Sequence, residues 1–176
     1  MKFKKTKFED LLIYQEKTFK DNRGYFRELF KQKYFAQKYP FMYMSFSKKN
    51  VLRGLHLQLK KPQSKIITVL SGKILDVSLD CRKNSKTFGK FFKIILSDKN
   101  NKSILIPKGF AHGFCTLSSK VIMLYKCSDY RSTKTEIGIL WNDKDLNIKW
   151  PAKKPIISNK DKLNLSFKEF KTINVF

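Results

Sequence analysis

Between Lys65 and Trp141 the chain is a succession of short β-branched and aromatic runs: KIITVL, KILDVSLD, GKFFKIILS, SILIP, GFAHGFCTL, KVIMLYKC and IGILWN. Turn-forming pieces such as Ser71-Gly72 and SDKNNK separate them, and nothing between them has helical spacing. Strands that follow one another without crossover helices pair antiparallel, so the pattern argues against an α/β fold. It predicts an all-β sandwich or barrel, with a jelly roll as the expected architecture. In KILDVSLD, Ile74, Asp76, Ser78 and Asp80 alternate with Leu75, Val77 and Leu79, which predicts one set facing in and the other out.

A length of 176 residues, with 16 Phe among them, supplies a real core for one domain and too little chain for two. We expect a single domain over residues 1–176 with the jelly-roll core at about 45–150. A helix is expected over Lys31 to Tyr39, ended by Pro40, and a second, short one from Ser166, where Ser-x-x-Glu to Glu169 spells a capping box.

The 38 Lys and Arg against 14 Asp and Glu give a net charge of +24, a surface that attracts polyanions. Its lysines are scattered as singles and pairs, such as Lys48-Lys49 and Lys60-Lys61, and no recognition motif accompanies them, which argues against a nucleic-acid partner. The same surface would draw in a small substrate carrying a diphosphate. Cys81, Cys115 and Cys127 are odd in number and lack metal-binding spacing, so they read as packing thiols of a cytoplasmic protein. No membrane span or signal peptide is expected.

Only two histidines occur, His56 in VLRGLHLQ and His112 in IPKGFAHGF, each within two residues of a glycine. Imidazole suits proton transfer near neutrality, so both are candidates for acid–base work, against the plainer reading of hydrogen-bonded core residues. Two histidines far apart, without clustered carboxylates, make a poor metal site, and none is expected.

The segments FKDNRGYFRELF, KKNVLRGLHLQ, GKILDVSLDCRKNSKTFGK, LIPKGFAHGF, LYKCSDY and ILWNDKDLNIKWP follow in this order over nearly the whole chain. Together they resemble the dTDP-4-dehydrorhamnose 3,5-epimerase family. The resemblance implies a double-stranded β-helix, the cupin-type jelly roll with short peripheral helices, a homodimer, and no metal or organic cofactor. It implies epimerisation at C5 and C3 of a nucleoside-diphosphate 4-keto-6-deoxyhexose, in deoxysugar synthesis for surface polysaccharide. A relative inverting one centre on another carrier, and a non-catalytic polyanion-binding jelly roll, are the alternatives.

Position by position, the resemblance puts the general base at His56 in RGLH, its carboxylate partner at Asp161 in ISNKD, and the acid at Tyr125 in LYKC. Arg53 and Lys65 match cations around the sugar and its keto oxygen, and His112 a further substrate contact. Arg23, Glu28, Glu136 and Lys160 match positions that hold the nucleotide and diphosphate. The chemistry needs those types: a proton beside a ketone is acidic only because the enolate places its charge on the keto oxygen, so base, cations and an acid on the other face are all required. The chain departs from the family where Gln-x-Asn-x-Ser becomes Phe41-Met42-Tyr43-Met44-Ser45, where Arg131 replaces a tyrosine with Tyr130 one place early, and where Leu165 replaces a proline.

Overall fold

The computed structural model describes residues 2–15, 17–173 and 176. Its strands are β1 (Lys2–Lys5), β2 (Leu12–Gln15), β3 (Thr18–Asp21), β4 (Gly24–Arg27), β5 (Phe41–Lys48), β6 (Leu52–Gln58), β7 (Lys65–Ser71), β8 (Lys73–Asp80), β9 (Phe91–Ser97), β10 (Lys102–Ile106), β11 (Phe110–Thr116), β12 (Lys120–Cys127) and β13 (Glu136–Gly138). Two short helices follow, α1 (Asn159–Lys162) and α2 (Phe167–Ile173). A six-stranded sheet runs β1-β2-β10-β7-β12-β5, a five-stranded sheet β13-β6-β11-β8-β9, and β3 with β4 forms a separate hairpin. This is the expected all-β jelly roll, and six of the runs read from the sequence are strands β7 to β12.

Alternation drives the core. In β12, Val121, Met123, Tyr125 and Cys127 are buried, and they meet Ile67, Val69, Ile74, Leu96, Ile104 and Phe114 between the sheets. Each such side chain contributes about 1.5–3 kcal/mol by leaving water.

Strand β8 corrects the expectation of one outward-facing set, because both sets are sequestered. Ile74 belongs to the cluster between the sheets, whereas Val77 and Leu79 belong to a second cluster with Leu55, Leu57, Ala111, Leu146, Ile148, Phe167 and Phe170. The chain after β13 thus forms a third layer over the five-stranded sheet, and what reads as an outward face is covered by it. The polar set of β8 turns inward, where Asp76, Ser78 and Asp80 are fully buried.

The helix expected over Lys31–Tyr39 is reduced to a single 3-10 turn at Gln32–Tyr34. Its start has no side-chain cap, and the Gln32 amide donates to the carbonyls of Phe35 and Gln37, taking acceptors that a continuing helix would use. Phe30 and Phe35 stack at 5.1 Å, and both meet Tyr39 edge-on; ring packing of residues five apart overrides helical spacing. The helix from Ser166 forms as expected: Ser166 N–H donates to Glu169, and Glu169 N–H donates back to Ser166 Oγ. The three cysteines are buried and form no disulfide among the described residues. Among the described residues no helix is long and apolar enough to cross a membrane.

Candidate active site

The two histidine motifs face each other across β6 and β11, where His56 and His112 are register partners. Three residues of β6, from His56 back to Arg53, span two of β11, from His112 to Phe114, so β6 carries a bulge. The extra residue changes the parity of the strand and lets Arg53 and His56 line the same cavity. The glycines of both motifs make this possible by touching back to back. A Cβ on Gly54, whose φ is +113, would stand 2.6 Å from Gly113 Cα and from the His112 carbonyl oxygen. RGLH and AHG therefore carry glycine because two backbones meet there.

Each histidine rests on a carboxylate. His56 Nε2 lies 2.5 Å from Asp161 Oδ1, and His112 Nε2 lies 2.7 Å from Asp76 Oδ2. With Nε2 engaged, Nδ1 of His56 is the nitrogen left to take a proton. Asp161 is delivered by the third layer: it sits in α1, whose first turn is capped by Ser158 Oγ, and its Oδ2 accepts from the Gly54 N–H at 3.3 Å. Burial alone would raise the Asp161 carboxyl, but the hydrogen bond and charge of His56 outweigh it and hold the group below its ordinary range.

The opposite wall is the six-stranded sheet. Tyr125 is buried, its hydroxyl 3.3 Å from Ser45 Oγ, and its ring stacks on Tyr43 at 4.5 Å. Burial pushes the Tyr125 phenol well above its usual range, so it stays protonated. Lys65 also lines this wall; burial draws its ammonium down, and it forms no ion pair among the described residues. Arg53 is held at its base, donating from Nε to Ser47 Oγ at 3.1 Å and from its terminal nitrogen to the Phe46 carbonyl at 3.2 Å.

At the mouth, Glu136 accepts two bonds from Arg131, at 2.8 and 3.0 Å, and one from Lys160 at 2.6 Å. Burial alone would raise its carboxyl, but these two cations outweigh it and take the pKa to about 2. The cavity so enclosed is about 420 Å³. A second one of about 500 Å³, bordered by Phe3, Tyr34, Phe35 and Tyr39, is larger but contains no histidine. The chemistry is concentrated in the smaller.

The structure thus brings together eight of the ten residues singled out in the sequence: His56, Tyr125, Asp161, Arg53, Lys65, His112, Glu136 and Lys160. It does not bring Arg23 and Glu28 there. Arg23 lies in the turn of the β3–β4 hairpin, paired with Asp21, and Glu28 follows β4, paired with Lys31. Sequence reading missed Asp76, Ser47 and Ser158 as supports. Asp76 carried a signal, a carboxylate in the alternating set of β8, and Ser47 lies two residues beyond Ser45 on the same face of β5. Among the described residues, no group of three His, Cys, Asp or Glu side chains could hold a metal.

The family described as dTDP-4-dehydrorhamnose 3,5-epimerase matches residues 5–169. The dTDP-4-dehydrorhamnose 3,5-epimerase of Shigella flexneri is 45% identical over 164 residues, covering 89% of this chain and 91% of that protein. The crystal structure of dTDP-6-deoxy-D-glucose-3,5-epimerase from Legionella pneumophila, in complex with dTDP-4-keto-L-rhamnose, superimposes with a TM-score of 0.92 at 37% identity, over 95% of this chain and 93% of that one. That of the Bacillus anthracis dTDP-4-dehydrorhamnose 3,5-epimerase, with TDP and pyrophosphate bound, gives 0.91 at 40% identity, over 94% and 99%.

Proposed function

The chain belongs to the dTDP-4-dehydrorhamnose 3,5-epimerase family, and from that premise we propose that it inverts C3 and C5 of a dTDP-linked 4-keto-6-deoxyhexose by removing a proton on one face and returning one on the other. The observation that carries this reading is topological. His56 stands on β6 of the five-stranded sheet and Tyr125 on β12 of the six-stranded sheet, so base and acid approach a sugar in the cavity from opposite walls.

His56 Nδ1 takes the proton from a carbon flanking the C4 ketone, and the C–H electron pair moves into a C=C bond with the charge on the keto oxygen. Arg53 and Lys65 meet that charge in a partly desolvated site, where a fixed cation counts for more than it does in water. Asp161 holds the His56 tautomer and stabilises the imidazolium that forms. The Tyr125 O–H then gives its proton to the same carbon from the far side. The C=C pair becomes the new C–H bond, the ketone is restored, the tyrosinate left behind accepts from Ser45 before solvent reprotonates it, and His56 returns its proton to solvent. C3 and C5 both flank C4, so one arrangement serves both after the ring shifts.

Lys160 and Arg131, now shared by Glu136, are the cations available to the diphosphate at the mouth. Arg23 and Glu28 would serve the nucleotide in a neighbour's cavity, because neither lines its own. A homodimer fits this placement. The outer side of β5, an edge strand, exposes Met42, Met44 and Phe46, and the hairpin exposes Phe19, Tyr25 and Phe26. We take the whole of 1–176 as one cytoplasmic epimerase domain, with sedimentation as the check on the dimer. The decisive test is turnover of the dTDP-linked 4-keto-6-deoxyhexose in deuterated water. Deuterium at both C3 and C5 of the product supports the reading, label at one position reduces it to single-centre epimerisation, and no label overturns it.

A further inference from the structure

Strand β5 supplies a residue that neither the family motif nor the mechanism above requires. Its inward positions are Phe41, Tyr43, Ser45 and Ser47, and three of the four bear on groups already given roles: Ser47 holds Arg53, Ser45 meets the Tyr125 hydroxyl, and Tyr43 covers the Tyr125 ring. Tyr43 and Tyr125 are register partners on neighbouring antiparallel strands, and their rings lie nearly parallel, 9° apart with centroids at 4.5 Å. The Tyr125 ring also meets His112 edge-on at 6.4 Å. Tyr43 is itself backed by Phe41 at 5.3 Å, and Phe41 by Tyr130 at 5.6 Å.

Resting on the reading of Tyr125 as the acid, we infer that Tyr43 is a positioning residue: its ring holds the Tyr125 phenol at the angle from which the proton reaches the far face of the enolate. A tyrosine on a strand can swing between rotamers, and a proton transfer to carbon tolerates little misplacement. Ser45 and the Met123 sulfur, to which the Tyr125 hydroxyl donates at 3.8 Å, hold only the oxygen and do not set the ring plane. The stack fixes the plane, and the row Tyr43, Phe41, Tyr130 anchors the stack to the cavity rim. The same cover contributes to the burial that keeps the phenol protonated. This is chemistry that the asparagine expected at position 43 could not supply, since an amide offers hydrogen bonds and no ring face.

The test is the partition between washout and inversion in deuterated water, for Tyr43→Leu, Tyr43→Asn and Tyr43→Phe, with Tyr125→Phe alongside and dTDP binding as the measure of a folded site. Leu and Asn should shift the partition toward deuterated, uninverted substrate by roughly 10- to 100-fold, while Phe, which keeps the ring, stays within about 2-fold of the wild type. Two ringless variants are used so that a folding failure of one leaves the other to decide; failure of both, with Tyr43→Phe folded and unchanged, would make the ring a packing element and overturn the inference. An unchanged partition with a raised KM would make Tyr43 a substrate contact and also overturn it. A Phe variant as impaired as Leu would place the effect in the hydroxyl and overturn it likewise. If Tyr125→Phe itself leaves the partition unchanged, the acid assignment falls, and this inference with it; if only the Tyr43 variants do, the acid assignment stands alone.

Discussion

The two walls of the cavity solve opposite electrostatic problems. On the five-stranded sheet each histidine has a carboxylate at hydrogen-bonding distance, Asp161 for His56 and Asp76 for His112, and Glu136 gathers two cations beside them. On the six-stranded sheet the proposed acid is a phenol packed against another ring, with a serine at its oxygen and no carboxylate bonded to it among the described residues. In the proposed mechanism one wall gains charge during the reaction and the other remains neutral until the last moment. A base needs a counter-charge waiting for its proton, and an acid needs surroundings that penalise early loss of one.

The largest effect should come from disabling the wall that gains charge. His56→Asn keeps a polar side chain in a similar space and removes the proton acceptor, so deuterium exchange and inversion should both fall by about 10²- to 10⁴-fold or more, with dTDP binding retained. A variant keeping more than about a tenth of normal turnover would end the assignment of His56 as base. The comparison of walls is sharpened by Tyr125→Phe. Inversion should fall by about 10²-fold while exchange into recovered substrate falls less than about tenfold, because base, dyad and cations are untouched. Equal loss of both would move Tyr125 to the base side and break the contrast.

These differences also explain what was legible in advance. The charged wall advertises itself: RGLH and AHG, each with a glycine near its histidine, stand out in a chain with two histidines. The acid wall is silent, since KVIMLYKC is an ordinary alternating strand in which Tyr125 is one aromatic among many, and only resemblance to a family marked it. Strands β7 to β12 were legible because their period of two and their turns are local. The burial of both faces of β8 was not, because the cover for Val77 and Leu79 comes from Phe167 and Phe170, about ninety residues later. Helix spacing over 31–39 misled for a related reason, since the rings of Phe30, Phe35 and Tyr39 decide that segment's path. Arg23 and Glu28 could be matched to a motif, but nothing in a sequence says that both stand apart from the cavity of their own chain.

Acid should distinguish the walls next. The folded pKa of Glu136, about 2, lies below the ordinary value of 4.5, so its contribution is fully present above about pH 4.5 and lost as the pH falls from there toward 2. At most about 3 kcal/mol is involved, and less in salt because Arg131 and Lys160 are half-exposed. Glu136→Gln should therefore flatten the acid limb of a thermal or denaturant stability profile; an unchanged limb would show that the cations at the mouth hold Glu136 without stabilising the fold. The smallest expected effect is none: exhaustive chelation should leave turnover as it was, since Arg53 and Lys65 are cast in the role a Lewis acid would play. Loss of activity on chelation, restored by one metal, would break the contrast at its base.

The third layer gives the enzyme a schedule. Asp161 lies 105 residues beyond His56, so at about 5–20 residues per second a ribosome needs roughly 5–20 s to supply the partner after making the base. Until then the cover over Leu55, Leu57, Val77 and Leu79 is incomplete, because Phe167 and Phe170 are also still to come. The segment that carries Asp161 is the one that shields them. A nascent chain of this kind would gain the carboxylate beside His56 as the last of its apolar face is hidden.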